Sequence, residues 1–579
     1  MLYLNLLAYA LPILDASTAK LGTSDTDTSR SPFAFIVSGG GFHTMTAGMA
    51  AARAMSMAGK NWSEVTHLGG VSGGQWFATQ FAFSDEFFSS LTTPERSLTE
   101  IMTKFGTDYM NNAAPPAKLK MNDFCEKHLV KNFANLVDTL GPFLPELLKG
   151  LLSQSGALSL LDWEAYVRAM LKQNVPVDMT YGEAARTAAR RGLKTAALVQ
   201  GLALPSDVWL TSGANGQPTL NASLTASFES FPNSKVPDGT LLPLAHVMKA
   251  EDTVVNGWHA PTTMDMHLTV NDGKIDFVAH KNPDQTPFSL AGVDTTTIAS
   301  VTAGSSAALA MVARDTQVKL MLEKLVDSIP DDQKAVKTAA NLLEAFLYGN
   351  CAPFSLQELA PPVKVDVPAA DVPQERKTYR TIDGGYVDNT GLTSTIAAMT
   401  TDCKTGEKLD CTELQVVSIH GYSDESSGIS KLFNTDAYPF FDDGTTQLVS
   451  PIDGVPANKV PKLQIFAEDA PNDAAWTTYA TETFPIAGHS HDAKYLAMNV
   501  KTVDNPAYGV VGDFNVRILF MADNIKDSDP AGVMPNNKDP LIVLPALGKE
   551  KFETVYAPVA EFQSQKAAPI LKQWFERSI

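Results

Sequence analysis

The pentapeptide Gly70-Val71-Ser72-Gly73-Gly74 places a hydroxyl inside the pattern G-x-S-x-G, with an apolar run before it and a helix-forming stretch after it. An alcohol is a weak nucleophile at its ordinary pKa. A sharp strand-to-helix turn lets the oxygen stand clear between small neighbours, and the helix N-terminus offers positive potential as the oxygen gains charge. The pentapeptide alone is weak evidence, since such a motif is common by chance and a tight strand-to-helix turn with no chemistry accounts for it more often than a nucleophile does. Upstream, Ser38-Gly39-Gly40-Gly41 exposes backbone N–H groups. Aimed at a tetrahedral intermediate, such donors would form an oxyanion hole, in which losing one donor typically costs about 10² to 10³ in rate. Phosphate cradling is the rival use, but the chain lacks both the Gly-Lys-Ser/Thr ending of a P-loop and the G-x-G-x-x-G spacing. A base for Ser72 is then needed. Asp383 follows Ile382 at an apolar strand end and precedes Gly384-Gly385, which would hold its carboxylate at a loop tip. Asp388 competes from a more polar turn with Asn389 and Gly391, and either aspartate also serves as a turn former.

These residues need elements to hold them. Phe33 to Val37 is an apolar run without alternation, as expected of a strand buried on both faces. The stretch 44–57 reads as a helix stopped at Gly59, 65–71 as a second short strand, and 75–83 as a second helix. Strand-helix alternation of this kind predicts an α/β sheet. From 98 to 192 the apolar spacing is helical, with Leu144, Leu147, Leu148, Leu151 and Leu152 among its repeats. It is expected to be a helical insertion, either a lipid-facing cap or ordinary interhelical packing. Strand-like runs recur at 267–270, 275–278, 414–419, 463–466, 516–521 and 541–544, and helical ones at 302–325, 333–347 and 549–577.

The chain has 579 residues and a formal net charge of −19, which repels phosphate backbones and argues against nucleic acid as a partner. Residues 2–14 carry no charged side chain, and Ser17-Thr18-Ala19 offers small residues for cleavage, so 1–19 resembles a secretory signal. The alternative is a buried first strand. A polar linker, 20–32, follows. A secretory route predicts a secreted or endomembrane (vacuolar) lumenal protein; without it the location is cytoplasmic. Cys403 and Cys411 bracket a polar stretch and suggest a stapled loop, the alternative being two unrelated thiols. No H-E-x-x-H or paired C-x-x-C appears, so no metal or other cofactor is expected. His489-Ser490-His491-Asp492 is read as a polar loop or helix cap in preference to an ion site.

Three motifs in order, Ser38-Gly39-Gly40-Gly41-Phe42, Gly70-Val71-Ser72-Gly73-Gly74 and Asp383-Gly384-Gly385, are similar to those of the patatin-like and cytosolic phospholipase A2 superfamily of lipid acyl hydrolases. The long separation of serine from aspartate resembles the phospholipase A2 and phospholipase B branch more than compact patatins. The resemblance implies a three-layer α/β fold with a central, mostly parallel sheet over 33–579. It implies a Ser72–Asp383 dyad acting through an acyl-enzyme, Gly40 and Gly41 at the oxyanion, a lipid or lysolipid substrate, and transient contact with a membrane surface. His43 stands where the cytosolic branch has Arg after Ser-Gly-Gly-Gly-Phe, so a substrate-binding role for His43 comes with weaker phosphate grip. Two other readings remain open. One is an α/β-hydrolase with a Ser-Asp-His triad, since His420, His489 and His491 all follow Asp383; the other is a silent lipid-binding or storage protein.

Overall fold

A computed structural model describes residues 31–112, 163–179, 195–203, 210–212, 218–221, 241–249, 258–260, 264–271, 274–281, 288–289, 297–306, 337, 362–365, 377–405, 409–423, 427–434, 463–484, 489–505, 508–526 and 552–578. Its strands in chain order are β1 (Phe33–Val37), β2 (His67–Val71), β3 (Thr195–Ala203), β4 (Leu210–Ser212), β5 (Pro218–Asn221), β6 (Leu241–Lys249), β7 (Trp258–Ala260) and β8 (Met264–Asn271). They continue with β9 (Lys274–Lys281), β10 (Phe288–Ser289), β11 (Pro362–Val365), β12 (Lys377–Ile382), β13 (Leu414–His420), β14 (Thr477–Phe484), β15 (His489–Lys501) and β16 (Asn515–Lys526). The helices used below are α1 (Gly41–Met57), α2 (Gly73–Phe83), α3 (Asp85–Thr92), α4 (Leu98–Asn112), α5 (Trp163–Leu171), α6 (Ile298–Ser305), α7 (Leu392–Thr405) and α8 (Ala557–Phe575).

Ten strands lie side by side in the order β10-β7-β6-β3-β2-β1-β13-β16-β15-β14, and the five at the centre, β3 to β16, run parallel. Their flanks on both sides are antiparallel. The apolar run 33–37 is buried throughout as the middle strand, which is why it shows no alternation. A second sheet, β4-β5-β8-β9, contains the hairpin expected from the runs at 267–270 and 275–278.

Neighbouring glycines of β2 reveal the layers. A Cβ on Gly69 would meet the Thr395 hydroxyl of α7, whereas a Cβ on Gly70 would meet Gly74 and Ala78 of α2. Successive residues of a strand face opposite sides, so α2 and α7 cover opposite faces and the architecture is the expected three-layer α/β sandwich. On the α2 face, α1 is buried nearly all round, and its small residues allow close approach; a Cβ on Gly48 would sit 2.9 Å from the Phe77 ring. Phe35, Trp62, Phe77 and Phe81 pack as aromatic neighbours beneath it.

Several elements differ from the sequence expectation. α1 begins at Gly41, three residues early, so Phe42 and His43 are helical and buried. The run 463–466 is not a strand but an extended segment with one bridge, Phe466 to Thr502; the Ile465 and Phe466 amides are taken by the Leu432 carbonyl. Of the stretch 98–192, α4 and α5 are described, and Leu98, Ile101, Met102, Phe105, Tyr166 and Met170 are buried in the main core. The leucine repeats at 144–152, the leader-like residues 1–19 and the strand expected at 541–544 lie outside the described residues. The Cys403 and Cys411 thiols are paired in a disulfide that joins the end of α7 to the approach to β13. Among the described residues no helix is long and apolar enough to cross a membrane.

Candidate active site

Two strands collide at the site. β2 runs parallel to β3 and its Val71 lies opposite Val199; β12 runs antiparallel to β3 and its Ile382 lies opposite Gly201. β6 occupies one edge of β3 along the full length, so β2 and β12 share the other edge and approach each other head-on. The residue after each strand, Ser72 and Asp383, therefore arrives at the level of Gln200 from opposite directions. This register brings together side chains 311 positions apart, and the Ser72 hydroxyl donates to Asp383 Oδ2 at 2.6 Å.

Local geometry holds the serine in an unusual backbone state. Ser72 has φ 52° and ψ −120°, a region costly for any side-chain-bearing residue, and serves as the N-cap of α2. Its glycine neighbours are demanded by backbone contact. A Cβ on Gly73 would lie 2.0 Å from the Gly41 carbonyl oxygen, and one on Gly74 would lie 2.0 Å from that of Val37. The elbow is thus pressed directly onto the Gly39–Gly41 loop, and the Cβ position of Gly39 falls 3.3 Å from Ser72 Cβ.

Asp383 Oδ1 accepts the Gly385 N–H at 2.7 Å. The residue is 4% exposed and Ser72 is 6% exposed. Burial pushes the Asp383 carboxyl up to about 6, while the hydrogen bonds from Ser72 and the Gly385 amide pull in the other direction. Asp388 plays a different part. Its Oδ1 accepts from the Thr390 amide and hydroxyl and its Oδ2 from the Thr393 amide and hydroxyl, so it caps the start of α7.

The glycine loop has two residues at positive φ, Gly40 at 144° and Gly41 at 58°. The Gly39 amide is already committed to the Asn389 carbonyl at 2.9 Å. Gly41 is the first residue of α1, where an amide has no acceptor within its own helix. The Gly39–Gly41 loop thus packs against the Ser72 elbow, with the Gly41 amide at the N-terminus of α1. His43, one residue beyond Phe42, is 2% exposed; its Nε2 donates to Asp523 Oδ2 at 3.1 Å and its ring meets Tyr422 edge-on. Asp523 Oδ1 pairs in turn with His491 Nδ1 at 3.3 Å.

No histidine among the described residues bonds to Ser72 or Asp383. His420 Nε2 pairs with the Ser418 hydroxyl at 2.8 Å, and burial lowers the His420 pKa to about 3. His489 lies in β15 opposite Phe484, and His491 belongs to the Asp523 pair. Sequence reasoning missed the Asp523 cluster and Ser305, whose hydroxyl accepts the Ser72 amide at 3.2 Å. Neither Asp523 nor Ser305 belongs to a motif, although the partners of Asp523, His43 and His491, lie in runs that the sequence singles out, Ser38–His43 and His489–Asp492.

The fold and site define an α/β protein with a buried Ser–Asp pair at a strand-to-helix elbow. No protein-family model matches the chain. No curated protein matches it either. Among solved structures it is similar to human GIVD cytosolic phospholipase A2, with a TM-score of 0.37 and 10% sequence identity over 94% of this chain and 62% of that one. The chain thus spans less than two thirds of that protein's length.

Proposed function

We propose that the protein is a lipid acyl hydrolase of phospholipase A or lysophospholipase type that cleaves carboxylic esters through Ser72 and Asp383. The observation that carries this reading is the 2.6 Å hydrogen bond from Ser72 to Asp383 at the N-terminus of α2, beside the glycine loop. Asp383 Oδ2 takes the hydroxyl proton as Ser72 Oγ attacks the ester carbonyl. The tetrahedral oxyanion is held by the Gly40 and Gly41 amides, and the leaving alcohol receives the proton from Asp383. Asp383 then takes a proton from water as it attacks the acyl-enzyme, and returns that proton to Ser72 Oγ as the C–Oγ bond breaks and the fatty acid leaves. No cofactor enters these steps.

The lipid class is supported by the similarity of the three ordered motifs to lipid acyl hydrolases, with transient contact at a membrane surface and a secreted or endomembrane location completing the reading. A net charge of −19 supports the absence of nucleic-acid partners. Because His43 is given over to Asp523 inside the protein, phosphate grip by His43 is not part of this proposal. The Ser–Asp–His alternative is disfavoured by the lack of any histidine bonded to the pair among the described residues.

The test is labelling with a fluorophosphonate alongside hydrolysis of a fatty-acyl ester. Wild type should label and turn over, and Ser72→Ala should do neither while remaining folded. A folded wild type inert to both assays would favour a silent lipid binder, and labelling that survives Ser72→Ala would move the nucleophile elsewhere.

A further inference from the structure

α6 belongs to none of the motifs, yet its last turn touches both halves of the Ser72–Asp383 pair. The Ser305 hydroxyl accepts the Ser72 backbone N–H at 3.2 Å, and the Ser305 carbonyl accepts the Gly384 N–H at 3.1 Å. One residue therefore grips the nucleophile's own peptide and the peptide that follows the aspartate. Two more bonds fasten the same segment to α2. The Thr302 and Thr79 hydroxyls meet at 2.9 Å, and the Trp76 indole N–H donates to the Ser306 hydroxyl at 3.0 Å. Thr302, Ser305 and Ser306 are fully buried, so water does not compete for these bonds.

What they restrain explains why they matter. A residue held at φ 52° persists only where its surroundings over-determine it. The amide of a helix N-cap has no acceptor in its own helix, so the buried Ser72 N–H must find one elsewhere. Ser305 closes α6, and the carbonyls of a last helical turn likewise lack partners within the helix, which leaves the Ser305 oxygen available to Gly384. Each group answers a need that the other element creates.

We propose that Ser305 is a positioning residue for the Ser–Asp pair, its hydroxyl setting the Ser72 peptide and its carbonyl setting the Asp383 loop, so that one buried residue fixes the register between two distant motifs. The catalytic meaning of this clamp rests on the hydrolase reading above; its geometry does not. Ser305→Ala deletes the hydroxyl acceptor and keeps the carbonyl, while Ser305→Thr keeps both.

The experiment compares wild type, Ser305→Ala and Ser305→Thr in three measurements: fluorophosphonate labelling rate, kcat and KM on a soluble acyl ester, and amide hydrogen exchange of peptides covering 68–76 and 380–388 beside the thermal midpoint. Ser305→Ala should lose about tenfold in kcat and in labelling rate, the scale set by one buried donor left without an acceptor. KM should hold within about twofold, since substrate binding is not what the hydroxyl supports. Exchange should quicken in the Ser72 peptide while the thermal midpoint stays near wild type, and Ser305→Thr should recover most of the labelling rate. Wild-type labelling by Ser305→Ala, or a loss that merely tracks a lower thermal midpoint, overturns the clamp. Should Ser305→Ala not fold, Ser305→Cys, close in size and a weaker acceptor, reads the same quantity: slowed labelling supports the clamp and wild-type labelling overturns it. A wild type inert to the probe sinks the hydrolase reading by itself. Exchange at Ser72 then decides alone, and an unchanged rate in Ser305→Ala removes the clamp as well.

Discussion

A carboxylate that must accept a proton from an alcohol is idle once protonated, and burial moves Asp383 toward that state, to about 6. Hydrolysis should therefore fall with a single-proton limb as the pH drops through about 6, where a solvent-exposed aspartate would show its limb near pH 4. Stability responds with the opposite sign. The folded pKa lies above the ordinary 3.8, so protonated Asp383 favours the folded state. That contribution is fully present below about pH 4 and is lost as the pH rises through 6, leaving the ionised group a cost on the order of 3 kcal/mol at neutral pH. Asp383→Asn should abolish ester hydrolysis yet match or exceed wild type in thermal midpoint at pH 8, measured by calorimetry at pH 5 and pH 8. A variant clearly less stable than wild type at pH 8 would mean that the hydrogen bonds of Asp383 outweigh its burial. Ser72 and Asp383, which the structure brings within hydrogen-bond distance, were legible in the sequence because each stands beside glycines at the end of a strand. Asp383 was preferred to Asp388 because it directly follows the apolar strand end at Ile382, and what the sequence did not show was the part Asp388 plays, with both oxygens occupied by Thr390 and Thr393.

At the scale of elements, the glycines after Ser72 act as a gasket between two motifs. A Cβ on Gly73 would stand 2.0 Å from the Gly41 carbonyl oxygen and 2.4 Å from its amide nitrogen, and main-chain atoms cannot swing aside as a flexible side chain can. Gly73→Ala must therefore push α1 away from the elbow, carrying with it the amides proposed as oxyanion donors. A loss of about 10² or more in kcat/KM is expected, the scale set by one misplaced oxyanion donor. Gly59→Ala is the control: nothing lies within 4 Å of its Cβ position, and its φ of +80° should cost only about 1 kcal/mol and leave turnover unchanged. Near-wild-type turnover in a folded Gly73→Ala would show that the two backbones are not in contact. The parallel strands β1, β13 and β16 were legible because burial on both faces writes an apolar run, whereas β2, His67-Leu68-Gly69-Gly70-Val71, was legible as the strand that leads into the G-x-S-x-G turn. β14 and β15 were not. In β15 the residues 489–501 mix His, Asp, Lys and Asn and form a strand because β16 offers a partner matched from Ser490–Lys526 to Lys501–Asn515, and β14 pairs in turn with β15. Tertiary pairing there overrides local pattern.

Across the whole molecule, Asp523 is the point where three distant parts of the chain share one charge. It lies on β16, His491 on β15 and His43 on α1, two residues beyond the loop that offers Gly41. Nothing in the sequence relates these positions, because their proximity is created by the order of strands in the sheet. Burial alone would raise the Asp523 carboxyl, but His491 and His43 outweigh it and hold it below the usual carboxylate range. Its contribution to stability is thus present above the ordinary aspartate pKa and is lost only as the pH falls through the lower folded value, the reverse of Asp383. Asp523→Asn keeps the shape of the side chain while replacing the ionised acceptor of two buried imidazole hydrogen bonds, a loss of about 1.5–3 kcal/mol by the scale for a hydrogen bond to a charged group. The exposed pair Lys60–Glu64, at 2.6 Å, provides the comparison, since Glu64→Gln should cost under about 1 kcal/mol. Urea unfolding of both variants at pH 7 measures the contrast. Because His43 is anchored through Asp523, the folded fraction of Asp523→Asn should also hydrolyse ester more slowly, as the first turn of α1 loses its hydrogen bond to β16. Equal stability losses in the two variants would show that Asp523 carries no more weight than a surface charge, and that the join between the helical layer and the β15–β16 edge rests on apolar packing alone.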